Sequence, residues 1–169
     1  MLEILILYSL HKQEMTFYGL AKFITERFGE VSKPSHGALH PAVKRLSEKK
    51  LISLRKKISD GGKRYSYYTV TDGFISGFNE IFMKFNSAKS ETVDAFLLSL
   101  KARLLTIDLL DKSLLNEFRE KVILKLDSLE DSIRKKLNNS YLELNEIQKN
   151  VAEVYIKEIS EYKNIINRL

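Results

Sequence analysis

The sequence predicts a mainly α-helical protein with one small β-hairpin: a compact domain over residues 1–88, then a helical domain over 89–169. Three observations carry that expectation. Most of the chain places apolar residues at 3/4 spacing, the period of a helix with one buried face. The segment 52–71 instead alternates apolar and polar residues around Asp60-Gly61-Gly62-Lys63. Asp-Gly and Gly-Gly suit a tight hairpin, because its central positions need φ > 0. Past Ser90 the apolar stripes become long, narrow and flanked by balanced charge.

The elements follow in order. Leu2, Ile4, Leu5, Leu7 and Tyr8 predict a short, mostly buried first helix ending near His11-Lys12-Gln13. Thr16 is placed to cap a second helix through Phe28, with Leu20, Phe23, Ile24 and Phe28 inward and Gly29 as its stop. In a third helix, at about 100° per residue, Leu39, Ala42, Val43 and Leu46 share a side. His36, His40, Lys44 and Ser47 share an adjacent arc. Pro41 complicates this helix, because an interior proline removes a hydrogen bond. Either the helix starts near His40 or its first turn is distorted. Ile52, Leu54 and Ile58 then predict a half-buried strand, and Arg64 to Thr71 the return strand, with Tyr68 and Val70 on one face and Tyr65 and Tyr67 on the other. Thr71 is read as the cap of a fourth helix over 72–88, with Phe74, Phe78, Ile81, Phe82 and Phe85 as its stripe and Gly73 and Gly77 weakening it.

The later helices follow the same logic. Val93, Phe96, Leu97, Leu100, Leu104 and Ile107 mark one, and Leu115, Phe118, Val122, Leu126, Leu129, Ile133 and Leu137 a second. Ser140 and Glu143 read as a capping box for a last helix, striped by Leu144, Ile147, Val151, Tyr155, Ile159, Tyr162 and Ile166. Narrow stripes must be buried against each other or a second chain. The last stripe is the expected dimer seam.

Charge singles out one region. Of 28 Lys and Arg, 13 lie in residues 1–75 against 7 Asp and Glu, while the remainder of the chain is balanced at 15 against 15. Within 33–64 the count is 10 basic against 2 acidic residues. Such a concentration is the footprint of a polyanion partner. A helix with a basic arc followed by a basic hairpin is the layout of a winged helix-turn-helix, whose reading helix enters the DNA major groove. The residues expected at DNA on this basis are Ser35, His36, Gly37, His40 and Lys44 from the helix, and Lys56, Lys57, Lys63 and Arg64 from the wing.

Two segments resemble the PadR family of transcriptional regulators. Residues 37–52, G-A-L-H-P-A-V-K-R-L-S-E-K-K-L-I, are similar to that family's G-T-L-Y-P-A-L-K-R-L-E-x-x-G-L-I. Residues 61–74, G-G-K-R-Y-S-Y-Y-T-V-T-D-G-F, resemble its G-G-R-x-R-K-Y-Y-x-L-T-x-x-G. Tyr18-Gly19 matches the start of its second helix, which adds Thr16 and Tyr18 to the expected DNA contacts. The resemblance implies a helix continuous through Pro41 and a homodimeric repressor on a pseudo-palindromic operator. It also implies a small-molecule effector whose binding residues are unknown. His40 stands where the family has Tyr. Lys50 stands where it has Gly, at a helix C-cap whose left-handed backbone costs a side chain about 1 kcal/mol.

Other functions find less in the sequence. No Cys is present, so disulfides and thiolate metal sites are excluded and a reducing, cytoplasmic setting fits. The N-terminus lacks the basic and small-residue features of a signal peptide. The longest apolar stretch, Phe96 to Leu110, is broken by Lys101, Arg103 and Asp108, so no membrane span is expected. His36 and His40 lack the Glu of a HExxH zinc helix, and Gly61-Gly62-Lys63 lacks the rest of a P-loop. No metal, cofactor or catalytic set is expected. The alternative from another class is a winged-helix scaffold binding an acidic protein partner.

Overall fold

The structure is a computed structural model and describes residues 1–58, 62, 64–85, 92–139 and 143–169. The described helices are α1 (Leu2–Lys12), α2 (Phe17–Phe28), α3 (His36–Glu48), α4 (Phe74–Met83), α5 (Val93–Leu104), α6 (Leu115–Leu137) and α7 (Glu146–Asn167). The described strands are β1 (Met15–Thr16), β2 (Ile52–Ile58) and β3 (Arg64–Val70), forming one antiparallel sheet in the order β1-β3-β2. This is the expected class, mainly α with a small wing. The two-residue β1, too short to show a period, is an addition that sequence patterning does not reveal.

The first compact unit, Met1–Leu110, is built around α1. Seven consecutive residues, Ile4 to Leu10, are buried because α2, α3, α4, α5 and β3 all pack on this helix. A helix apolar on nearly every side belongs at the centre of a core. Its two buried hydroxyls are both paired, Ser9 Oγ donating to Leu5 O at 2.7 Å and Tyr8 Oη to Asp108 Oδ2 at 3.3 Å.

α3 begins at His36 and runs unbroken through Pro41 to Glu48, which decides between the two readings of that proline. Ser35 caps it, its side chain accepting from Ala38 N at 3.2 Å. The end of α3 is a Schellman turn, with Lys50 N donating to Ser47 O at 2.9 Å and Leu51 N to Leu46 O at 3.0 Å. Lys50 sits there at φ 57°, so a side chain does occupy the left-handed position expected of it.

Several local expectations are corrected. Leu54 and Ile58 are 50% and 68% exposed, so β2 is buried only at its base, at Ile52, and the wing projects from the core instead of lying on it. Thr71 does not cap α4: its hydroxyl donates to Lys50 O at 2.8 Å, tying the wing's exit to the end of α3, and α4 starts later, after Gly73. Phe85 lies beyond the end of α4 at Met83, and the remainder of the expected helix to residue 88 lies outside the described residues. Gly77 has a packing role, since a Cβ there would meet Leu51 Cδ2 at 2.3 Å. Ile107 leaves α5 for a separate 3-10 turn.

The sequence expectation divides the chain at 88/89, but α5 belongs to the first compact unit. Arg103, 3% exposed, donates from Nε to Phe82 O and from Nη2 to Lys84 O, both at 2.8 Å, and from Nη1 to Ser99 O at 3.1 Å. Its guanidinium lies 4.5 Å from the Phe85 ring centre. The carbonyls at the end of α4, which have no partner within the helix, receive a buried cation at the negative end of the helix dipole.

The second unit, Asp111–Leu169, is an antiparallel pair of long helices. Phe118, Val122, Leu126 and Ile133 of α6 are buried, with Ile159 and Ile166 of α7. Lys163 bridges Asp127 at 2.6 Å and Glu130 at 2.7 Å, and Glu130 also pairs with Arg134 at 2.6 Å. α7 starts from Asn145, which forms a capping box with Gln148. The expected box at Ser140 lies outside the described residues, and Leu144 precedes the helix it was expected to stripe.

Candidate nucleic-acid interface

The candidate surface starts from how α3 is held. Leu39, Ala42, Val43 and Leu46 are buried, which leaves His36, Gly37, His40 and Lys44 exposed along the adjacent arc. Since the buried stripe fixes the helix's rotation, the arc is a rigid display. Ser35, the exposed N-cap, adjoins it. At Gly37 an added Cβ would meet only Ser35 Oγ, at 3.8 Å, so nothing in the protein's own packing fills that space. Among the described residues Lys44 pairs only with Glu48, at 3.8 Å across one exposed helical turn. Such exposed pairs contribute little and release readily.

The start of α2 meets this arc. Thr16 caps α2, its Oγ1 accepting from Gly19 N at 3.1 Å, and Tyr18 is 70% exposed beside it. Between them, the Phe17 ring lies 5.5 Å from the His36 ring at 87° and 6.2 Å from the His40 ring at 58°. Phe17 was missed by pattern reading. It breaks no local rule, and its partners are far along the chain.

The wing is sorted by its register. Lys56 faces Ser66 and Ile58 faces Arg64, so Leu54, Lys56, Ile58 and Arg64 share one face of the sheet. Arg55 opposite Tyr67 and Lys57 opposite Tyr65 share the other. Lys57 is engaged: it pairs with Glu14 and lies 5.4 Å from the Tyr67 ring centre. Among the described residues no ion pair involves Arg55, Lys56 or Arg64, and all three are exposed. Arg55 is a wing cation absent from the sequence-based set. Lys63 and the rest of the expected tip, except Gly62 with φ 75°, lie outside the described residues.

β1 joins the two parts. Met15 pairs with Tyr68 and Thr16 with Tyr67. The chain then passes directly into Phe17, and so onto the histidines of α3. Wing base and exposed arc are therefore neighbours through β1.

On α7 the expected seam divides. Ile159 and Ile166 are fully buried, Tyr155 and Tyr162 are half-buried, and Ile147 and Val151 are 74% and 48% exposed. Among the described residues no group of His, Asp and Glu is placed to hold a metal ion, and no helix is long and apolar enough to cross a membrane.

Comparison with known proteins follows the same division. No curated protein matches the chain. Among solved structures, a PadR-like transcriptional regulator from Bacillus cereus strain ATCC 14579 is 31% identical, covering 47% of this chain and 75% of its own, with a TM-score of 0.40. Bacillus subtilis PadR in complex with operator DNA is 18% identical, covering 99% of this chain and 95% of its own, with a TM-score of 0.45. The same protein in complex with p-coumaric acid is 20% identical at the same coverage, with a TM-score of 0.43. The family model for the transcriptional regulator PadR-like family matches residues 6–73, a span holding α2, β1, α3, the wing and most of α1. Through that region the chain belongs to the transcriptional regulator PadR-like family.

Proposed function

We propose that the protein is a homodimeric, cytoplasmic repressor that binds a pseudo-palindromic operator. In this reading α3 enters the major groove and presents His36, His40 and Lys44 to base edges. Ser35 and the backbone at Gly37 lie against the sugar-phosphate chain, as do Thr16 and Tyr18. The wing cations Lys56, Lys63 and Arg64, with Arg55, follow the backbone or the minor groove. Lys57, held by Glu14, contributes after release from that pair. DNA contact is assigned within residues 1–88 and dimerisation within 89–169. A small-molecule effector fits the family, and no residues are assigned to it.

The observation that carries this reading is the exposed arc of α3, held in one rotation by the buried stripe beside it, in a unit whose wing holds exposed cations with no ion partner among the described residues. A solvated helix face needs neither a fixed rotation nor a bare glycine in its first turn. The dimer reading rests on Ile147, Val151 and Val154, which are 74%, 48% and 64% exposed among the described residues.

The test is selection from a randomised duplex pool. We expect enrichment of an inverted repeat with half-sites about one turn, ~10 bp, apart. Lys56→Ala with Arg64→Ala should weaken binding to all duplexes and reduce the slope of log affinity against log salt by about 2, roughly 0.9 per lost phosphate contact. An unchanged slope removes the wing from the interface. Failure to enrich any sequence, with an acidic protein partner bound by the unaltered protein and lost on charge reversal at Lys44 and Arg64, would favour the scaffold reading.

A further inference from the structure

We propose that Phe17 is a positioning residue for sequence reading: its ring holds the His36 and His40 side chains in the orientation from which they meet base edges. The inference rests on the reading of α3 as the DNA-reading helix and assigns a role to a residue of a different helix.

The argument begins with how firmly Phe17 is placed. It is the first residue of α2, directly after β1, and its backbone is held from both sides. Met15 and Thr16 are paired to Tyr68 and Tyr67 of β3, and the Thr16 hydroxyl accepts from Gly19 N at 3.1 Å. A Cβ at Gly19 would lie 3.2 Å from Thr16 Oγ1, so glycine leaves the cap the room it occupies. Phe17 is thus fixed by the sheet and the cap, independently of α3.

Against this fixed point stand two side chains that would otherwise be free. His36 and His40 are four residues apart on one face of α3, and both residues are exposed. An exposed side chain samples several rotamers, and ordering it on binding costs affinity. The Phe17 ring meets His36 edge to face, at 87° and 5.5 Å, and His40 in a tilted contact at 6.2 Å. Aromatic pairs favour such geometries because ring edges and faces carry opposite partial charge. One ring therefore orders both imidazoles before DNA arrives.

This arrangement has a distinctive consequence. Phosphate contacts from Lys56 and Arg64 do not involve Phe17, and they supply the affinity that every duplex shares. Base contacts supply discrimination. Removing the ring should lower discrimination and leave shared affinity in place, which general loosening of the fold would not do.

The protein has three histidines, and the third provides an internal control: His11 stacks on Phe74 at 5.2 Å and 29°, away from Phe17. In the free full-length protein, Phe17→Leu should shift the His36 and His40 ring-proton resonances by removing the ring current and leave those of His11 in place. With the duplex selected by the unaltered protein and a random duplex of equal length, Phe17→Leu should reduce the affinity ratio about tenfold. Affinity for the random duplex and its salt slope should stay within about twofold of the unaltered protein. Phe17→Tyr, which keeps the ring, should restore both the resonances and the ratio. Unmoved His36 and His40 resonances in Phe17→Leu overturn the proposal, as does an unchanged ratio or an equal loss on both duplexes. If the unaltered protein selects no sequence, the DNA-reading function fails and Phe17's role with it. A ratio that survives Phe17→Leu sinks Phe17's role alone.

Discussion

Helices α1 and α7 are both striped with branched aliphatic residues, Leu and Ile in α1 and Ile and Val in α7, yet they bury them very differently. α1 hides seven consecutive residues in 11, while α7, at 22 residues, fully buries only Ile159 and Ile166. The cause is the number of neighbours. α1 is packed by four helices and a strand of the first unit, whereas in the second unit α7 packs on α6. Sequence hydrophobicity says that a residue needs cover; it does not say whether the same chain supplies it. The first unit closes its own core, whereas Ile147, Val151 and Val154 in the first half of α7 remain exposed.

The largest expected effect tests the closed side. Leu5→Ala, at a site with no exposed surface, should destabilise the first unit by about 2–5 kcal/mol, read by urea or thermal unfolding. A loss under about 1 kcal/mol would mean that α1 is not the centre it appears from burial to be. On the open side, Ile147→Glu with Val151→Glu should convert dimer to monomer in analytical ultracentrifugation with the helical content retained. Charge on an apolar seam is costly when buried and nearly free when exposed. A dimer that persists unchanged would move the proposed seam elsewhere.

Smaller effects sharpen the contrast. Within the second unit, hydrogen bonds from Lys163 and then Arg134 hold the Glu130 carboxyl below its ordinary value of 4.5. A carboxylate with a depressed folded-state pKa stabilises the fold at pH above its unfolded value, and that stabilisation is lost as pH falls through the folded one. Lys163→Met should therefore cost about 1 kcal/mol near neutral pH and less in acid, flattening the acid limb of stability against pH. An equal cost at all pH would make the role of Lys163 one of packing. The smallest effect is a gain. Lys50→Gly should stabilise the first unit by about 0.5–1 kcal/mol, because glycine adopts φ 57° without strain and the Schellman hydrogen bonds remain.

Much of the first unit was legible because its signals are local. The 3/4 spacing of Leu39, Ala42, Val43 and Leu46 depends only on the helical period, and the structure buries those four together. Thr16 caps its helix as its chemistry suggests. Misreadings cluster where a local rule had a competitor. Thr71 has the hydroxyl of a cap, but the carbonyl of Lys50 takes it. Leu54 and Ile58 alternate like half-buried residues, but no layer of the fold reaches that far along the wing. Lys57 reads as one more free cation until Glu14 is found beside it.

The sequence by itself determined the helical periods, the hairpin, the concentration of positive charge and the face of α3 that would be left outward. These follow from chain geometry over a few residues, which composition and spacing encode directly. Only the tertiary structure decided that Arg103 caps α4 from α5, that β1 joins the sheet to the start of α2, and that Phe17 lies against two histidines. Each of those is a meeting of residues about 20 to 50 positions apart. No local preference encodes such a meeting; it exists once the buried stripes have been packed together and the remaining side chains have taken the places left to them.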